Sequence, residues 1–233
     1  QAALLEAMQE HQVTTGGVRH MLPEPFFVLA TRNPIEQEGT YPLPEAQLDR
    51  FMFEVLVDYP SEAEEFAIVR QTTAEAGAAI ETVLSRDDLV RLQAMVRRVP
   101  VADHVIRYAM QFSRLTRQPL GRRRNAPGHQ VPVPDFIREY VSWGAGPRAS
   151  QYLILGARAR AVLQGRTSAG IQDVKAVAGP VLRHRIITSF NAESEGITAD
   201  DIIHRLAEMI PADPGELAGK DGFPDVFRAA DAH

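Results

Sequence analysis

The apolar residues Leu4, Leu5 and Met8 share one face at helical spacing, which predicts a helix over residues 1–10. Two short β-prone runs around Gly16-Gly17, between Val13 and Met21, then predict a hairpin. Pro23 and Pro25 break the chain ahead of Phe26-Phe27-Val28-Leu29-Ala30, a continuous apolar run of the kind buried on both faces of a parallel sheet, so a central strand is expected there. Beyond Pro42 and Pro44, a short amphipathic stretch over 45–51 leads into a second expected strand over 52–57, ending at Asp58-Tyr59-Pro60. Residues 1–60 thus read as part of an α/β core with parallel strands.

After Pro60 the periodicity becomes helical. Ser61-x-x-Glu64 is a capping box, and Ser85-Arg86-Asp87-Asp88 opens another helix whose apolar positions are Leu89, Leu92 and Val96. Further helices are expected at about 101–117, 147–164, 171–185 and 199–209, the last capped by Thr198, and a Gly/Pro/Arg-rich loop over 119–134. The expected organisation is an α/β portion over 1–60, an all-helical domain over 61–211, and a small, polar, Pro/Gly-bearing tail over 212–233 that is a candidate for disorder.

Composition narrows the function classes. The chain has 233 residues, 45% of them hydrophobic, enough for a sizeable core. A net charge of −5 does not favour a nucleic-acid partner, and the Arg122-Arg123-Arg124 cluster reads first as a solvated loop. The absence of cysteine removes disulfides, thiolate metal sites and cysteine nucleophiles, and it fits a cytoplasmic location. No apolar run approaches the roughly 18 residues of a membrane span. The seven histidines show no paired ligand spacing, so no metal site is expected. The opening residue is not Met and falls directly in a helical pattern, which predicts that residues precede Gln1.

Three segments carry candidate chemistry. Asn33, in Ala30-Thr31-Arg32-Asn33-Pro34, follows the predicted buried strand, where open α/β sheets bind ligands, although an Asn-Pro pair also simply initiates a turn. Arg50 ends the short helix before the second predicted strand. Its fixed donors and permanent charge suit a phosphate presented by a neighbouring molecule, and the same position suits an ordinary surface Arg near a helix C-terminus. Arg148 lies in the first turn of a helix opened by Pro147. There it opposes the helix dipole, which an anion bound at that end would relieve and which a solvated Arg tolerates at small cost.

Taken in order, Leu4-Leu5-Glu6-Ala7-Met8-Gln9-Glu10, the long run from Ala30 through Asn33-Pro34-Ile35-Glu36-Gln37-Glu38-Gly39-Thr40-Tyr41-Pro42-Leu43-Pro44-Glu45-Ala46-Gln47-Leu48-Asp49-Arg50-Phe51, and Gly146-Pro147-Arg148-Ala149-Ser150 resemble the MoxR-family AAA+ ATPases. The resemblance covers residues 1 to about 211 and implies the later part of a P-loop AAA+ core followed by a helical lid. It implies that Asn33 is the sensor 1 residue orienting the attacking water, Arg50 the finger reaching a neighbouring subunit's γ-phosphate, and Arg148 the sensor 2 residue contacting phosphate in its own subunit. It also implies ATP and Mg as ligands, assembly into a ring, expected to be a hexamer, and chaperone-like remodelling or maturation of a partner complex, often alongside a von Willebrand factor A domain protein.

One departure bears on activity. A P-loop needs Gly-x-x-x-x-Gly-Lys-[Ser/Thr], and the two lysines, Lys175 and Lys220, lie in no such context; no hydrophobic strand ending in Asp-Glu is present either. The chain alone is therefore expected to be inactive, as a fragment of a complete ATPase. A magnesium-chelatase-type ATPase subunit and a non-catalytic interaction module are the alternatives.

Overall fold

Four long helices, α5 (Asp103–Leu115), α7 (Pro147–Leu163), α8 (Ile171–Leu182) and α10 (Ala199–Met209), enclose the hydrophobic core. The computed structural model describes residues 2–32, 43–74, 81–117 and 133–212. Helix α7 presents Ala149, Leu153, Ala157 and Ala161 at four-residue spacing, all fully buried, and these mostly small side chains let α5 and α8 approach closely. Tyr108 and Phe112 of α5 meet edge to face with ring centroids 5.4 Å apart, and Val174, Val181 and Leu182 of α8 with Ile202 and Leu206 of α10 complete the core.

Capping fixes several helix starts. Ser61 forms the expected reciprocal box with Glu64 at the start of α3 (Glu62–Thr72), and Ser85 and Thr198, expected as a helix start and a cap, also form full boxes with Asp88 and Asp201, opening α4 (Arg86–Arg98) and α10. Of the predicted α4 stripe, Leu89 and Leu92 remain exposed. Two short helices were not evident from periodicity, α6 (Asp135–Tyr140) and α9 (Phe190–Glu195); between them β3 (Val141–Trp143) pairs antiparallel with β4 (Ile187–Thr188).

At the other end of the sequence, α1 (Ala2–Glu10) leads into the predicted hairpin, β1 (Gln12–Thr15) and β2 (Val18–Met21). Gly16 and Gly17 both take positive φ, as a two-residue hairpin turn requires. Glu6 ties helix to hairpin by accepting from Gln12 Nε2 and Thr14 N, each at 3.1 Å. Helix α2 (Glu45–Leu48) is a single turn.

The expected parallel sheet is not seen among the described residues. Among the described residues the strands pair only as two antiparallel ribbons, with one isolated parallel bridge between Val101 and Ala169. The runs 26–30 and 52–57 form no strand and have no ladder partners among the described residues, and Phe27 and Leu29 are 81% and 82% exposed. An apolar run becomes a strand only when neighbours satisfy its backbone groups laterally, and no described strand pairs with either run. The predicted 119–134 loop falls largely, and the 213–233 part of the tail wholly, outside the described residues.

Candidate functional site

A single-turn helix such as α2 is too short to persist unaided. The segment after it, Asp49 to Glu54, is instead held by its main-chain carbonyls against the helical domain. The 3₁₀ turn Arg183–Arg185 that ends α8 supplies most of the donors. Arg185 Nη2 donates to Asp49 O at 2.7 Å and to Phe51 O, its Nη1 reaches Met52 O at 3.4 Å, and Arg183 Nη1 donates to Glu54 O at 3.0 Å. Tyr152 Oη of α7 donates to Arg50 O at 3.1 Å, and Glu54 N returns a bond to Pro180 O at 2.8 Å. Phe53 packs on α7 at Gly156, where an added Cβ would stand 3.3 Å from the ring.

His184 completes this attachment. Its Nε2 lies 3.0 Å from Phe51 O and so carries the proton in the neutral ring, while Nδ1 stands 4.0 Å from Glu54 Oε2. Burial, reinforced by the Arg185 charge, pushes the imidazole pKa down to about 4. Burial also lowers the Arg185 pKa, against the opposing pull of Asp49. Even so, its guanidinium is bound on several sides and lies 5.1 Å from the Tyr152 ring centroid.

The result is an open, polar cleft of about 410 Å³ lined by Met8, Gln9, Glu10, Arg50, Arg148 and Tyr152. Two of the three predicted site residues therefore come together, from positions about a hundred residues apart in sequence. Arg50 lies against the Gln9 side-chain amide, which accepts from the guanidinium when its oxygen is turned toward it. Arg148 Nη1 donates to Asp49 Oδ2 at 3.1 Å, and its side chain keeps 42% of its surface exposed. Helix α7 begins at Gly146 with no side-chain cap, so the amides of its first turn add to the positive character of this end.

Asn33 and the Arg122–Arg124 cluster lie outside the described residues. Asp49, Tyr152 and Arg185 escaped the sequence reading. Asp49 stood inside the recognised run beside Arg50, and Arg185 looked like an ordinary basic residue at a helix C-terminus. Among the described residues no group of three or more His, Asp or Glu side chains is placed to hold a metal ion, and no helix is long and apolar enough to cross a membrane.

Comparison with known proteins gives this arrangement its context. Residues 1–53 match the family described as ATPase family associated with various cellular activities (AAA), and residues 136–206 match the AAA lid domain. The class is thus an AAA ATPase portion joined to its lid. The chain is 38% identical to Chaperone MoxR1 of Mycobacterium tuberculosis, across 100% of this chain and 59% of that protein. It is 32% identical to Protein MoxR of Paracoccus denitrificans, across 81% and 56%. A crystal structure from Cytophaga hutchinsonii superimposes with a TM-score of 0.79 at 34% identity, covering 91% of this chain and 62% of that one. The chain belongs to the MoxR family of AAA ATPases. It spans less than two thirds of the length of each of these relatives.

Proposed function

We propose that the complete protein is a ring-forming ATPase that binds and hydrolyses Mg-ATP to drive chaperone-like remodelling or maturation of a partner complex. The supporting observation is the shared cleft of Arg50 and Arg148, two arginines that line one polar opening at an uncapped helix start. That donor set fits a phosphate. Arg50 and Arg148 would hold its oxygens and stabilise the charge that develops as the γ-phosphoryl group transfers, while Asn33 would orient the attacking water. Bound ATP supplies the phosphoanhydride. The P-loop amides and the acidic magnesium ligands would come from outside this chain's sequence, which contains neither, so the chain alone would be inactive.

The common cleft favours both arginines acting on the same phosphate. If Arg50 reaches across a ring interface, Arg148 goes with it, in place of the same-subunit role that the resemblance implies. A hexameric ring, and a von Willebrand factor A domain protein as partner, belong to the same proposal.

Mixed rings test it. In the complete protein, Arg50→Ala should lower turnover by a factor on the order of 10³ while sparing ATP binding. Mixing Arg148→Ala subunits with subunits disabled in the P-loop should restore activity, since each defect then sits on a different side of the interface. Normal turnover of Arg50→Ala would refute the finger role, and no restoration would return Arg148 to its own subunit's nucleotide.

A further inference from the structure

Both cleft arginines are suspended from one buried group. The Arg185 side chain is 1% exposed, and it distributes its donors over Asp49 Oδ1 at 2.9 Å, Asp49 O at 2.7 Å, Phe51 O, Met52 O and Val181 O. Asp49 Oδ2 in turn receives Arg148 Nη1 at 3.1 Å, so one carboxylate bridges the buried arginine and the cleft arginine. Arg50 is the next residue in the chain. Its carbonyl is held by Tyr152, whose ring lies beside the Arg185 guanidinium.

We propose that Arg185 is a positioning residue, acting through Asp49 and the carbonyls of residues 49–52 to fix Arg50 and Arg148 relative to each other and to the end of α8. The inference rests on the phosphate-binding reading of the cleft. A guanidinium suits this task because its planar fork meets a carboxylate and several carbonyls at once; an ammonium at the same place has three donors and no fork. Burying such a charge is costly unless its donors are matched, which ties it to one arrangement of the 49–52 backbone. Displacement of a catalytic group by about 1 Å can cost roughly 10²-fold in rate. Lid and cleft arginines then move as one body.

The test uses the complete protein, with turnover measured per assembled ring and KM for ATP measured separately. Arg185→Lys and Asp49→Asn should each lower kcat about 10- to 100-fold, with KM and ring assembly close to wild type. Arg185→Lys combined with Asp49→Asn should be no slower than the worse single variant, because the two side chains act through one bond. A purely structural role would reduce the yield of assembled rings and leave kcat per ring intact, and that result, or multiplicative losses in the double variant, overturns the proposal. Should Arg185→Lys fail to assemble, Asp49→Asn decides, since it preserves size and an acceptor oxygen. Arg50→Ala serves as reference. If it is inactive while Arg185→Lys and Asp49→Asn are normal, only the positioning role falls; if it is itself normal, the phosphate reading fails with it.

Discussion

Asp173 is the carboxylate on which the start of α8 depends, and its replacement by alanine has a cost that can be worked out contact by contact. Its side chain is fully buried, accepting from Arg160 Nη1 at 2.7 Å, from Arg166 Nη1 at 2.6 Å and from Gly170 N at 2.9 Å, the last bond closing the first turn of the helix. Loss of the helix-start bond costs about 1 kcal/mol, and each charge-assisted bond about 1.5–3 kcal/mol. Arg160 and Arg166 keep 35% and 40% of their side-chain surface exposed and can rehydrate, which reduces their share. The net expectation for Asp173→Ala is about 3 kcal/mol, at the lower edge of the range for broken buried pairs. Trp143 is the single tryptophan, so its fluorescence reports urea unfolding of the helical domain. With a slope of about 2 kcal/mol/M the midpoint should fall by about 1.5 M. Asp135→Ala is the control, its 98% exposed side chain lying 3.4 Å from Arg138, and should cost about 0.5 kcal/mol or less. The Arg166 guanidinium holds the Asp173 carboxyl well below the usual carboxylate range. Its contribution is therefore complete above the unfolded pKa of about 3.9 and lost only as pH falls through the lower folded value. The difference between variant and wild type should stay constant from pH 7 to pH 5. A midpoint shift under about 0.5 M, or one equal to the Asp135 control, would refute the ledger.

Gly144→Ala would place a Cβ inside the Thr116 carbonyl, and since Thr116 Oγ1 also accepts from Ala145 N at 3.0 Å the two segments cannot simply part; a loss of about 2 kcal/mol is expected in the same urea assay. His184 should titrate near pH 4 by NMR, and because its folded pKa lies below the unfolded value of about 6.5, stability should decline as pH drops from about 6.5 toward 4. His184→Gln should flatten that decline above the carboxylate range, and an imidazole titrating near 6.5 in the folded protein would contradict its burial.

Features governed by local rules were legible in the sequence. The Gly16-Gly17 turn, the Ser61 box, the helix starts at Ser85 and Thr198, and Pro147 at the first position of α7 all depend on residues within a few positions of each other, and all form as expected. The strand expectation for 26–30 failed because a strand needs neighbours that a local pattern does not supply. Arg50 and Arg148 were picked out by residue type and motif, yet their common cleft depends on α1 and on the docking of residues 49–54. Arg185 and Asp173 were missed for a related reason. A buried ionic group has no periodic signature, since its partners are scattered, and Asp173 also looked like an ordinary first-turn acid.

The bond from Arg185 to Asp49 joins positions 136 residues apart, whereas α7 and α8 are neighbours in sequence. Closing a loop of that length costs about 4 kcal/mol of chain entropy before any contact rewards it. Adjacent helices should therefore associate early during folding, with the attachment of residues 49–54 forming after the main barrier. Substitutions at Asp49 or Arg185 should then accelerate unfolding while leaving the refolding rate nearly unchanged. The arginine cleft would be the last part of the molecule to assemble and the first to come apart.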